Sequence, residues 1–91
     1  MSVDVRIPPP LRRLTGGRGR VQVEARTVEE LLDALEAAHA GLGAKLRDET
    51  GAVRRYISIY VGDQDIRFIG GLAAPLRDGD AVSIVPAIAG G

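Results

Sequence analysis

The sequence predicts a small α+β domain in which one main helix packs on one face of a mixed sheet. Three observations predict it: several segments alternate apolar and polar residues, one segment carries a helical apolar stripe, and the elements follow the order β-β-α-β-β-β. The chain has 91 residues, of which 45% are hydrophobic. That length and composition suit one globular domain. We therefore expect residues 1–91 to form a single domain, with residues 87–91 as its tail.

Two segments near the start alternate with period two, as half-buried strands do. They are residues 3–7 and residues 20–25, separated by three prolines and a glycine-rich turn that cannot continue a strand. Their inward-facing residues are Val3, Val5, Ile7, Val21, Val23 and Ala25. We expect these two strands to pair antiparallel.

Residues 27–41 contain the predicted main helix. Thr27 and Glu30 have the spacing of a capping box. Gly41 is typical of a helix end. The apolar positions recur at helical spacing and form one stripe, made of Val28, Leu31, Leu32 and Leu35. One further helical turn is predicted around "LGAKL" in the following loop.

The second half of the chain predicts three more strands. Residues 56–61, "YISIYV", are rich in β-forming residues and place Ile57, Ile59 and Val61 on one face. Residues 66–68 read as a short strand. The turn signal "RDGD" precedes a last strand at residues 81–85, with Val82 and Ile84 pointing inward.

The formal charge is zero overall but unevenly distributed. Residues 1–26 hold six arginines against two acidic residues, a balance of +4, and residues 27–91 hold six basic against ten acidic residues, a balance of −4. A nucleic-acid-binding domain is usually strongly basic overall. We therefore expect no nucleic-acid partner and favour a protein partner that reads charge.

The sequence predicts no catalytic residue, no metal site and no bound cofactor. It has no cysteine, and its one histidine, His39, lies near the predicted helix end, where an imidazole suits the helix dipole. The stretches "GLGAK" and "IGGLA" lack the spacing of a phosphate-binding loop. No apolar run approaches the roughly 20 residues of a membrane helix. We expect a cytoplasmic protein without membrane attachment.

The chain ends in "VSIVPAIAGG", and the two final glycines point to a function of the terminus. At average glycine usage, two terminal glycines arise by chance about 0.5% of the time. They remove every side chain beside the last carbonyl, so this end can thread a narrow channel. We expect the carboxylate of Gly91 to be the functional group, carried by an arm that is mobile in the free protein. The arm consists of Ile88, Ala89 and Gly90.

Three stretches carry a resemblance to a known family: "VDVRIPPPLRRLTGG", "YVGDQDIRF" and "GGLAAPLRDGDAVSIVPAIAGG". On these residues the chain resembles the MoaD/ThiS family of ubiquitin-like β-grasp sulfur carriers. Within that family it is most similar to the CysO-type carriers of cysteine biosynthesis. The resemblance implies a β-grasp fold and a protein co-substrate rather than an enzyme.

The resemblance also implies a reaction cycle and its partners. An E1-like, ATP-dependent enzyme adenylates Gly91, a sulfur donor displaces AMP to leave a thiocarboxylate, and a synthase accepts the sulfur. In the cysteine route that synthase is pyridoxal-phosphate-dependent and a metallopeptidase releases the product. Members of the family dock through an apolar patch near the last strand, which makes Tyr60, Phe68 and Leu72 the candidate interface residues.

Several alternatives remain open at this point. The carrier could serve molybdopterin, thiamine or another sulfur-containing metabolite. It could instead modify proteins through an isopeptide bond at Gly91, or be a binding domain with an idle tail. Phe68 could be a core residue, since phenylalanine is usually buried.

Overall fold

A computed structural model describes residues 1–87 of the chain. The strands are β1 Ser2–Arg6, β2 Arg20–Glu24, β3 Ile57–Val61, β4 Gln64–Asp65 and β5 Ala81–Pro86. The helices are α1 Val28–Ala38 and α2 Leu42–Leu46. Short 3-10 helices span Pro9–Thr15, Ile66–Phe68 and Gly71–Ala73. The predicted order of strands and main helix is confirmed, and "LGAKL" forms α2.

The five strands form one mixed sheet in the order β2-β1-β5-β3-β4. β1 pairs antiparallel with β2 and parallel with β5, and β3 pairs antiparallel with both β5 and β4. The first and the last strand of the chain are therefore neighbours in the middle of the sheet. This is the β-grasp arrangement, and it confirms the predicted α+β class.

The core lies between the sheet and α1. Leu31, Leu32 and Leu35 of the predicted stripe are fully buried, and they face the inward side chains of the strands. The core contains aliphatic residues and no aromatic side chain within residues 1–87. The start of α1 is capped as expected: the Thr27 hydroxyl accepts from the backbone N–H of Glu30 at 3.2 Å.

One local prediction was wrong. Residues 66–68 are not a strand; β4 ends one residue earlier, at Asp65, whose carboxylate accepts from the backbone N–H of Arg67 at 2.9 Å and turns the chain into a 3-10 helix. The connection between β1 and β2, for which no helix was predicted, contains the 3-10 helix Pro9–Thr15, with Leu11 and Thr15 buried.

Candidate functional site

The last strand delivers the tail at one end of the sheet. Pro86 lies opposite Ile57 in the ladder between β5 and β3, and the backbone N–H of Ala87 donates to the carbonyl of Tyr56 at 2.6 Å. Antiparallel pairing alternates, so the missing N–H of Pro86 is at a position that points away from β3. The predicted last strand ended at residue 85, whereas its pairing with β3 continues through Pro86 to the hydrogen bond of Ala87.

The residues that would carry the chemistry lie outside the described part of the chain. They are Ile88, Ala89, Gly90 and Gly91. Their predicted mobility and the role of the terminal carboxylate therefore stay predictions. The structure describes the end of β5 and the neighbouring strands, to which these residues are attached.

An apolar patch lies on the open face of the sheet, opposite α1, beside the tail exit. Val85 is 46% exposed and Tyr56 is 51% exposed. The register pairs Ser58 with Val85 and Tyr60 with Ser83, so Tyr60 and Val85 are diagonal neighbours on this face. Tyr60 was predicted from the sequence as an interface residue, but Val85 and Tyr56 were not. The available signal was that Val85 is out of phase with the inward residues of its strand.

The three candidate interface residues differ in their exposure. Tyr60 is half-buried on the open face. Leu72 is half-buried and packs against the core. Phe68, at the end of the 3-10 helix after β4, is 84% exposed. Phe68 is therefore not a core residue, and so large an exposed aromatic ring is the strongest single docking feature among residues 1–87.

Asp65 fixes the turn that presents Phe68. Its carboxylate accepts from the backbone N–H of Arg67 at 2.9 Å and receives the Arg67 guanidinium at 2.6 Å and 3.1 Å. Hydrogen bonds from the Arg67 side chain, followed by the bond from its backbone, lower the pKa of Asp65 below its ordinary value of 3.8. Asp65 is 8% exposed, whereas the Arg67 side chain is 68% exposed, so the ion pair joins a buried carboxylate to a guanidinium at the surface.

This pKa shift predicts an acid-sensitive turn. A carboxylate with a lowered pKa contributes stability above its unfolded pKa of 3.8, and loses it as the pH falls through the folded value. The free energy of unfolding of the wild type should therefore approach that of Asp65→Asn as the pH is lowered below about 4. Urea denaturation between neutral and acid pH measures the difference. Asp63→Asn, two residues away and exposed, is the control, and a pH-independent difference would contradict the expectation.

No group of three or more His, Cys, Asp or Glu side chains is placed to hold a metal ion within residues 1–87. No helix in that part of the chain is long and apolar enough to cross a membrane. His39 lies directly after α1, where its backbone N–H bonds the carbonyl of Leu35 at 2.8 Å. This placement agrees with the helix-end position predicted for it.

Comparison with known proteins gives consistent matches over the whole chain. Residues 5–91 match the ThiS family. The chain is 44% identical over 93 residues to the sulfur carrier protein CysO of Mycobacterium tuberculosis, with all of both chains covered. It is 47% identical to a chain in the crystal structure of the BexX/CysO complex of Amycolatopsis orientalis. There the TM-score is 0.92, and 98% of this chain and 99% of the other are covered.

A second kind of relative also matches. The chain is 33% identical over 94 residues to small archaeal modifier protein 3 of Haloferax volcanii, again with all of both chains covered. Carriers and modifiers are thus both similar to this chain along its full length.

Proposed function

We propose, because the chain belongs to the ThiS family, that it is a sulfur carrier which bears a thiocarboxylate on Gly91 and delivers that sulfur in cysteine biosynthesis. The observation that supports this most strongly is the 44% identity to CysO across both full chains. The Gly-Gly terminus lies within the matched residues of the family.

The chemistry required of this chain is that of an activatable backbone carboxylate. A terminal carboxylate has a pKa of about 3.3–3.7, so it is anionic at neutral pH and a poor electrophile. A carboxylate oxygen attacks the α-phosphate of ATP and releases pyrophosphate, so that this oxygen becomes part of an AMP leaving group. A sulfur nucleophile then attacks the carbonyl carbon and expels AMP. The chain has no cysteine, so its terminus is where transferable sulfur would be bonded.

The similarity to CysO-type carriers supports the following partners. An E1-like enzyme supplies ATP-dependent adenylation, and a pyridoxal-phosphate-dependent synthase accepts the sulfur. A metallopeptidase then frees cysteine from the carrier. The chain itself acts as a co-substrate of these enzymes. The solved complex of BexX with CysO supports a carrier of this type assembling with another protein.

Protein modification is the second candidate function. It is favoured by the full-length similarity to small archaeal modifier protein 3. A modifier would form an isopeptide bond between Gly91 and a lysine of another protein. Immunoblots of an epitope-tagged chain would then show ladders of higher mass, whereas a dedicated carrier leaves a single band.

Intact-protein mass spectrometry tests the carrier function directly. The chain is incubated with ATP, a sulfide source and the adenylating enzyme encoded in the same genome. One oxygen-for-sulfur exchange should appear and should map to the C-terminal peptide. Addition of the pyridoxal-phosphate-dependent synthase and its activated serine substrate should then give a carrier–cysteine adduct. An unchanged mass with an enzyme that forms the adenylate would overturn the proposal.

Truncating Phe68 should separate docking from folding. Because the ring is 84% exposed, Phe68→Ala should change the free energy of unfolding by about 0.5 kcal/mol or less. If the ring docks on the adenylating enzyme, KM for the carrier should rise by about tenfold, equivalent to 1.4 kcal/mol. Phe68→Leu keeps apolar bulk and should recover part of the affinity. Unchanged KM for both variants would remove Phe68 from the interface.

A further inference from the structure

The sheet topology gathers arginines at the end where the tail leaves. β1 and β5 run parallel, with Arg6 beside Ser83, so the end of β1 and the exit of β5 lie at the same end of the sheet. The connection from β1 to β2 lies at this end too. So does the start of β3, where Tyr56 receives the hydrogen bond from Ala87. Segments far apart in the sequence thus surround one exit.

Five exposed arginines occupy these segments, and we call them the arginine collar. They are Arg6, Arg12, Arg13, Arg18 and Arg55. None of the five makes an ion pair with a carboxylate of the described residues; the arginines that do are Arg20, Arg47 and Arg67. The collar is therefore a set of uncompensated positive charges around the tail exit.

The part of the collar between β1 and β2 is held in place. The Arg12 Nε donates to the carbonyl of Ile7 at 3.0 Å. Its guanidinium lies so close over Gly19 that a Cβ there would come within 3.0 Å of it. The buried hydroxyl of Thr15 donates to the carbonyl of Arg18 at 2.7 Å and lies 3.1 Å from that of Arg12. The backbone that presents these arginines is thus fixed by buried contacts rather than left as a loose loop.

The other end of the sheet carries acidic turns. Asp63 lies in the turn between β3 and β4, and Asp78 and Asp80 lie in the turn before β5. The Asp78 carboxylate accepts from the backbone N–H of Ser2 at 2.8 Å, which places that turn beside the start of β1. Arg26 and Arg77 lie at that end as well, and Asp48 and Glu49 lie in the loop that leads to Arg55, so both ends carry mixed charge; what distinguishes the tail end is the cluster of five arginines.

We propose that the arginine collar docks on an acidic rim around the channel of the adenylating enzyme that receives the tail. This inference rests on the proposed carrier function. The charges lie on both sides of the tail exit, after β1 and before β3, as a surface that meets a channel mouth would require. Single exposed ion pairs contribute little to affinity, but several together steer association and orient the carrier tail-first.

Charge reversal at matched positions tests the collar. Arg13→Glu with Arg18→Glu is compared with Arg26→Glu with Arg77→Glu, an exposed pair at the opposite end of the sheet that changes the net charge equally. At low salt the collar variant should show KM for adenylation raised by about tenfold or more, with kcat unchanged and a weaker dependence of kcat/KM on salt. The control variant should change KM by less than about twofold. Equal melting temperatures would show that both variants keep the fold.

The outcomes separate this surface from the carrier function itself. Equal KM values for the two double variants, with thiocarboxylate still formed, would overturn the collar and leave the carrier function standing. A wild-type chain that never forms thiocarboxylate would overturn the carrier function and the collar with it. Calorimetric titration with inorganic triphosphate examines the rival ligand class. Saturable binding that is lost in the collar variant, with KM unchanged, would assign the arginines to a phosphate site instead.

Discussion

Deletion of Gly91 is expected to abolish sulfur transfer while leaving the fold unchanged. The truncated chain still ends in a carboxylate, but the reacting carbon moves back by up to about 3.5 Å. A displacement of that size takes it out of a near-attack geometry. We expect no oxygen-for-sulfur exchange by intact-protein mass spectrometry under conditions that convert the wild type fully. The melting temperature should change little, because the hydrophobic core of the described residues runs from Val3 to Ile84.

A second tail variant distinguishes length from width. Gly90→Val keeps the length but adds a branched side chain beside the reacting carbonyl, so it should also fail if the tail threads a narrow channel. Glu29→Gln, an exposed substitution on α1, leaves the whole tail intact and serves as the control that still accepts sulfur. Sulfur transfer by the Gly91-deleted chain would refute the role of that residue, and full activity of Gly90→Val would refute the narrow channel.

Replacing Leu32 by alanine is expected to give the largest loss of stability. The side chain is fully buried between α1 and the sheet, and the core around it is aliphatic. Truncation of such a leucine removes buried apolar surface and leaves a cavity, which costs about 2–5 kcal/mol. For a domain of this size each kcal/mol lowers the melting temperature by roughly 4–8 °C. Urea denaturation followed by circular dichroism measures the loss.

An exposed position on the same helix provides the control for that measurement. Glu29→Gln should lower the free energy of unfolding by about 0.5 kcal/mol or less, because the side chain is on the solvent-exposed face of α1. If Leu32→Ala costs no more than Glu29→Gln, then α1 does not pack on the sheet through this residue. Thiocarboxylate formation by Leu32→Ala at low temperature would further show that the variant loses stability rather than chemistry.

The fold was predictable where the hydrophobic period was long. α1 shows more than two turns of apolar stripe, and β1, β2 and β5 each alternate over five or six residues. The prediction failed at residues 66–68, where an apolar, a basic and an apolar residue fit a strand and a helical turn equally well. There the carboxylate of Asp65 decides between strand and helix, because its hydrogen bonds to Arg67 stabilise the 3-10 turn. A local side-chain hydrogen bond of this kind leaves no period in the sequence.

The candidate site was predictable only in its chemistry. The Gly-Gly end identifies the reacting group, but neighbours around the exit depend on strand order. Val85 becomes a surface residue beside Tyr60 only through the register of β5 on β3. Likewise Arg6 and Arg55 lie at the same end of the sheet only because β5 is parallel to β1 and antiparallel to β3. Long-range pairing fixes these relations, and no local pattern encodes them.

The placement of β5 between β1 and β3 also bears on how the protein is made by the ribosome. β1 is synthesised first, yet its neighbour in the middle of the sheet is β5, the last of the five described strands. Pairing across so long a stretch of chain is slow compared with local contacts. The middle of the sheet therefore closes only after β5 has been synthesised. Until then β1 and β3 lack the strand that joins them, so the surface from which Ala87 leaves forms late in folding.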